Sequence, residues 1–287
     1  MQLQVQVPKS SRRAKHVVVM LVIVTLLGAA FTAIGTEVAE EDSDWDDLTA
    51  AEMSEQDDND LDDSTLPWLQ NARSWWADGL MNLFSLIGGG KGLMILTGLA
   101  AGLLFARQRR SDAALLILAL VGGGILSRGF KDALDRPRPE GGRSVLTLNT
   151  RMVLALAVTA LVLLALTSWR RVGLIVGGAL ALVFTGSALV DQWGLTTGND
   201  SFPSGHAVGS MSVASAAVVL AWRSSKRWLV LAAATAFVAI VGLSRAYFGL
   251  HYASDILGGW LLALAWVVLV AGARVVWQDR SPRTAEA

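Results

Sequence analysis

Cysteine is absent from all 287 residues. That excludes disulfides, a thiol nucleophile and any thiolate metal site, and it is compatible with a working face outside the cytoplasm. Histidine is scarce, with three copies. Charged residues make up 17% of the chain against 53% hydrophobic, with a mean hydropathy of +0.48. Such a chain is too apolar for an ordinary soluble domain and long enough for several membrane spans. Lys and Arg are missing altogether from residues 37–63, where fourteen of the twenty-four acids lie. The formal net charge of zero therefore hides a division, because the rest of the chain sets twenty-four bases against the remaining ten acids.

Apolar runs long enough to cross a bilayer, or nearly so, are 17–34, 93–106, 113–129, 152–169, 172–190, 207–222, 228–243 and 256–273. The expected fold is an all-α, polytopic transmembrane bundle of about eight spans, with a six-span core as the alternative if the 152–190 hairpin lies flat. The shortest run, 93–106, is expected to begin nearer Gly88, with Lys91 snorkelling to the interface. Basic clusters at Lys9/Arg12/Arg13/Lys15, Arg107/Arg109/Arg110, Arg170/Arg171, Arg223/Lys226/Arg227 and Arg274/Arg280/Arg283 fall at alternate span ends. By the positive-inside rule those ends are cytoplasmic, which puts both termini inside. The expected location is a cell (inner) membrane, crossed several times. The opposite, extracytoplasmic face then receives the acidic stretch and all three motifs described below.

The expected organisation is a cytoplasmic N-terminus and first span or signal anchor over 1–36, an acidic extracytoplasmic loop over 37–67, a transmembrane domain over 68–277 and a cytoplasmic tail over 278–287. A retained anchor is favoured over a cleaved secretory signal at residues 1–35, because an eighteen-residue uncharged run is long for a signal. Residues 37–63 combine few apolar side chains with dense like charge, so they are expected to be a solvated chain dispensable for chemistry. A calcium loop is the sharper alternative, but the Asp42, Asp44, Asp46 spacing lacks the turn glycine and distal glutamate of an EF-hand. Trp68, Trp75 and Trp76 read as an interfacial stretch leading into the second span.

Two of the three histidines sit in Ser-Phe-Pro-Ser-Gly-His (201–206) and Ser-Arg-Ala-Tyr-Phe-Gly-Leu-His-Tyr-Ala-Ser-Asp (244–255). Asp255 follows His251 by four residues, which on a helix places the carboxylate on the imidazole's face, holding one ring N–H and leaving the other nitrogen free. A third cluster runs from Lys131 through Arg136 to Arg138 and Pro139. Flanking prolines stiffen the backbone at Arg138, so its guanidinium is presented for bidentate pairing with phosphate oxygens. Arg128, Arg143 and Arg151 are more simply read as interfacial or lipid-contacting charges. Around Ser204 and Gly205 a loop becomes a helix, where unpaired N–H groups and a positive dipole end meet an anion. Ser204 also qualifies as a plain N-cap.

Lys131-x6-Arg138-Pro139, Pro203-Ser204-Gly205-His206 and Ser244-Arg245-x5-His251-x3-Asp255 together resemble the three signatures of the type 2 phosphatidic acid phosphatase superfamily, which includes membrane lipid phosphatases, glucose-6-phosphatase and soluble vanadium haloperoxidases. The resemblance covers about 113–273, and the interval between its first two motifs is longer than in compact six-span members. It implies that His251, oriented by Asp255, attacks phosphorus to form a phosphohistidine. His206 would donate a proton to the departing oxygen, while Lys131, Arg138, Arg245 and the N–H groups of Ser204 and Gly205 hold the phosphoryl oxygens. Neither metal nor other cofactor is implied. The expected activity is an extracytoplasmic lipid phosphate or diphosphate phosphatase acting on undecaprenyl diphosphate, phosphatidylglycerol phosphate or phosphatidic acid. A phosphotransferase with the same site, or a lipid-phosphate binder without turnover, are the alternatives. The expected partners are the lipid substrate and the bilayer, with no nucleic acid. The sequence leaves oligomeric state open.

Overall fold

The structure, a computed structural model, describes residues 9–45, 60–134, 136–139, 142 and 200–278. All its regular elements among these residues are helices: α1 (Lys9–Trp45), α2 (Asp60–Asn71), α3 (Trp75–Gly88), α4 (Gly90–Ala106), α5 (Arg110–Leu134), α6 (Gly205–Ala221), α7 (Arg227–Tyr247) and α8 (Ala253–Gln278). Four helices contain stretches long and apolar enough to cross a membrane: His16–Ala39, Arg110–Leu134, Arg227–Tyr247 and Ala253–Gln278. The pair α3 and α4, bent by 58° at Gly89, makes up to five if it counts as one span, and α6 is a shorter apolar helix. Six of the eight expected runs thus fall on described helices. The runs at 152–169 and 172–190 lie outside the described residues, and with them the proposed hairpin.

Helix α6 occupies the centre, packed by α5, α7 and α8, with α4 beside α5 and α1 laid along α8. Small residues make these contacts close, as expected where lipid is as apolar as the helix surface and association rests on packing. A Cβ at Gly259 of α8 would stand 3.0 Å from the Ser204 carbonyl and 2.9 Å from Ala207 Cβ, so only glycine lets α8 meet the start of α6. Outward faces stay apolar, with Val18, Leu26, Ile125 and Leu229 all more than half exposed, as suits contact with hydrocarbon. An open groove of about 740 Å³ between α1, α6, α7 and α8 is lined by such side chains, among them Met20, Met211, Val238 and Leu264.

The acidic stretch departs from expectation wherever it is described. Its first nine residues prolong α1 to Trp45, and its last four open α2. Asp62, expected to be solvated, is 2% exposed. A lone carboxylate could not be buried so; a partner holds it, as set out below. Trp68, Trp75 and Trp76 are exposed on α2 and α3, in keeping with an interfacial position.

Candidate active site

Asp255 is the point at which the three motifs join. It is the third residue of α8 and fully buried. Its Oδ2 accepts from the Tyr252 N–H at 2.9 Å and lies 3.2 Å from His251 Nδ1. Its Oδ1 accepts from Arg136 Nη1 at 3.0 Å and from Ser201 Oγ at 3.3 Å. The backbone carbonyl of Asp255 accepts the Ser204 N–H at 3.0 Å. The first motif is stitched to the second by Ser201 N–H donating to the Arg136 carbonyl at 2.7 Å, and by Lys131 Nζ donating to the carbonyls of Asp200 and, at 3.2 Å, Ser201.

His251 does not lie on a helix, as the four-residue spacing had implied. Helix α7 ends at Tyr247, and the chain turns back through Gly249, whose φ is 65°. Leu250 N–H donates to the Arg245 carbonyl and Gly249 N–H to that of Ala246, both at 2.9 Å. This is a Schellman closure, in which a left-handed glycine satisfies the last carbonyls of the helix. It delivers His251 to the entrance of α8, where Asp255 reaches back to the Tyr252 N–H as the carboxylate of a capping box does. The imidazole and carboxylate therefore meet as expected, although across a turn. Burial pushes the His251 pKa down to about 4, against the upward pull of Asp255, so the ring is neutral at neutral pH. With Nδ1–H directed at the carboxylate, Nε2 keeps its lone pair.

His206 lies in the first turn of α6, and its ring faces the Ser85 carbonyl of α3. Gly89, at the bend between α3 and α4, makes room for it, since a Cβ there would stand 3.3 Å from His206 Nε2. Ser85 also accepts from Arg245 Nη1 at 2.6 Å. His206 lies close enough to Arg245, His251 and Arg138 to feel their charge, as Arg138 does to Lys131 and Arg245, and His251 to Arg245 and Lys131. Lys131 donates only to carbonyls and Arg245 only to a hydroxyl, so neither has a carboxylate partner among the described residues. Arg245 Nε and Ser204 Oγ are buried polar atoms without a hydrogen bond among the described residues. Orphaned buried donors of this kind fit an oxyanion that would complete them.

Ser204 stands at the N-cap of α6, but its hydroxyl makes no capping bond and its N–H is taken by Asp255. The group it can offer a phosphoryl oxygen is thus the hydroxyl, not the N–H expected. Gly205 opens the helix with an exposed backbone, and the nearest atom to a Cβ there is Ser127 Oγ at 4.0 Å. Arg138 is exposed beside Lys131 and Arg245. All eight candidate residues are accordingly brought to one end of the bundle. Sequence reasoning passed over Arg136, Ser201, Ser85 and Asp62. Arg136 and Ser201 could have been found from their place inside the motifs, whereas Ser85 and Asp62 carry no local mark.

Residues 180–279 match the PAP2 superfamily. The second and third motifs lie inside that stretch and the first lies before it, so the resemblance read from the sequence is borne out. The chain is also similar in fold to a solved structure described as the first transmembrane PAP2 type phosphatidylglycerolphosphate phosphatase from Bacillus subtilis, with a TM-score of 0.56 and 20% identity over 91% of this chain and 98% of that one. That likeness bears out an all-helical membrane fold. No curated protein matches the chain in sequence.

Proposed function

We propose that this PAP2-type chain is a membrane lipid phosphatase that works through a phosphohistidine on His251. The observation that carries the reading is His251, buried and held at Nδ1 by Asp255, beside an Arg245 whose Nε has no partner among the described residues. A neutral imidazole with a free Nε2 is a nucleophile, and an unfilled guanidinium edge is a seat for the oxygen it would displace charge onto. Nε2 forms a bond to phosphorus as the P–O bond to the lipid breaks, and His206 gives its proton to the departing oxygen. Water then attacks the phosphohistidine, His206 takes the water's proton, and inorganic phosphate leaves. Lys131, Arg138, Arg245 and the Ser204 hydroxyl hold the phosphoryl oxygens throughout, doing by fixed cations what a divalent metal does in kinases.

The substrate is a lipid phosphomonoester or diphosphate whose headgroup reaches the site while its chains stay in the bilayer. The structural neighbour's own substrate class, phosphatidylglycerolphosphate, is the first to test, followed by phosphatidic acid and an isoprenoid diphosphate. Purified protein is expected to release inorganic phosphate from at least one of them in excess chelator, and vanadate is expected to inhibit. Loss of activity in chelator with recovery on magnesium addition would overturn the mechanism. Label transferred to another lipid instead of to water would make the chain a phosphotransferase.

A further inference from the structure

We propose that Asp62, in the acidic stretch and outside all three motifs, is a positioning residue for the His251–Asp255 pair; this rests on the phosphatase reading above. Asp62 Oδ1 accepts the Ser254 N–H at 2.9 Å, and Oδ2 accepts from Ser254 Oγ at 2.5 Å and Arg136 Nη2 at 3.2 Å. Arg136 Nη1 meanwhile donates to Ser254 Oγ at 2.8 Å and Asp255 Oδ1 at 3.0 Å. One buried guanidinium is thus shared between two buried carboxylates, one from α2 and one from α8.

This arrangement does two things for Asp255. Ser254 is the second residue of α8, and its N–H is one of the donors that a helix start leaves without an internal partner. Asp62 takes it from 192 positions away in sequence, capping the very turn that carries Asp255. Asp62 also holds one arm of Arg136, which leaves the other to meet Asp255 through a single oxygen. Without Asp62 the guanidinium is released to close on Asp255 with both arms, in competition with His251 and Tyr252 for that carboxylate. The packing of the guanidinium 4.1 Å above the Tyr252 ring keeps it within reach.

The test compares wild type, Asp62→Asn, Asp60→Asn and His251→Ala on one lipid phosphate across pH. A misplaced nucleophile is expected to lower kcat of Asp62→Asn by about tenfold or more with KM within about twofold. The acid limb of its kcat/KM profile is expected to move to lower pH, because a carboxylate neutralised by Arg136 raises the His251 pKa less. The charged and titratable groups around His251 are Asp255, Arg245, Lys131 and His206, with Arg136 and Asp62 beyond Asp255, and this variant removes the charge of Asp62 alone. Asp60→Asn makes the same charge change two residues away and is expected to behave as wild type. Three results overturn the inference: wild-type turnover in Asp62→Asn, equal losses in the two asparagine variants, or a loss that tracks folded protein with an unmoved acid limb. An inactive wild type, or an active His251→Ala, would instead defeat the phosphatase reading itself.

Discussion

Asp255 accepts hydrogen bonds from a backbone N–H, a serine and an arginine, besides its contact with His251. A carboxylate so held cannot swing away, and the imidazole it fixes is left with one nitrogen free for chemistry. Different outcomes are therefore expected for the two histidines. His251→Ala should abolish turnover and covalent phosphoenzyme alike. His206→Ala should lose about 10²- to 10⁴-fold on an alkyl lipid phosphate but far less on an aryl phosphate, whose leaving group needs no proton. Equal losses on both substrates would remove His206 from the acid role, and phosphoenzyme surviving in His251→Ala would reverse the assignment. The pH dependence follows from burial. With the His251 pKa lowered from 6.5 to about 4, the acid limb of kcat/KM should lie near 4, and activity should persist as pH falls through 6.5. Stability behaves differently over the same range. Between 6.5 and about 4 the unfolded chain binds the proton that the folded site refuses, so stability is complete above 6.5 and declines as pH falls through that window. Thermal unfolding of wild type and His251→Gln across that range should converge at low pH.

Among the elements, α7 shows most directly how local sequence serves the site. Its Schellman closure needs a left-handed residue at 249, and glycine is the residue that adopts φ 65° without a Cβ penalty. Gly249→Ala is expected to cost about 1 kcal/mol in stability and, two residues before His251, to lower kcat as well. A variant with an unchanged unfolding midpoint in detergent would show that the turn tolerates a side chain. Helices α5, α7 and α8 were legible as apolar runs because length and hydropathy alone mark a span. The bend at Gly89 was not, since Gly88, Gly89 and Gly90 merge into the same apolar run, and nothing local marks that Gly88 makes room for Val241 and Gly89 for the His206 ring. Nor was Asp62, one acid among fourteen in its stretch, because its partner Arg136 is 74 positions distant and nothing local separates a buried aspartate from a solvated one. The motifs, by contrast, carry the residue types and their order in the sequence, although the spacing of His251 and Asp255 suggested a helix where the structure has a turn.

Over the whole molecule, the three motifs gather where α5 ends and α6 and α8 begin, while Arg223, Lys226 and Arg227 crowd the turn from α6 to α7 at the other end. That polarity supports an extracytoplasmic site by the positive-inside rule, and it can be tested because the chain has no cysteine of its own. Ser201, inside the second motif, is unsuitable for a probe: it is fully buried and donates to Asp255. Ala72, exposed between α2 and α3, and Ser225, exposed in the α6–α7 turn, serve instead. A single cysteine in place of Ala72 is expected to react with an impermeant thiol reagent in intact cells, and one in place of Ser225 only after the membrane is opened. The reverse pattern would put the site on the cytoplasmic side, where a headgroup presented in the outer leaflet could not reach His251. Labelling of both in intact cells would mean that the chain between them crosses an even number of times, and the expected topology would fall with it.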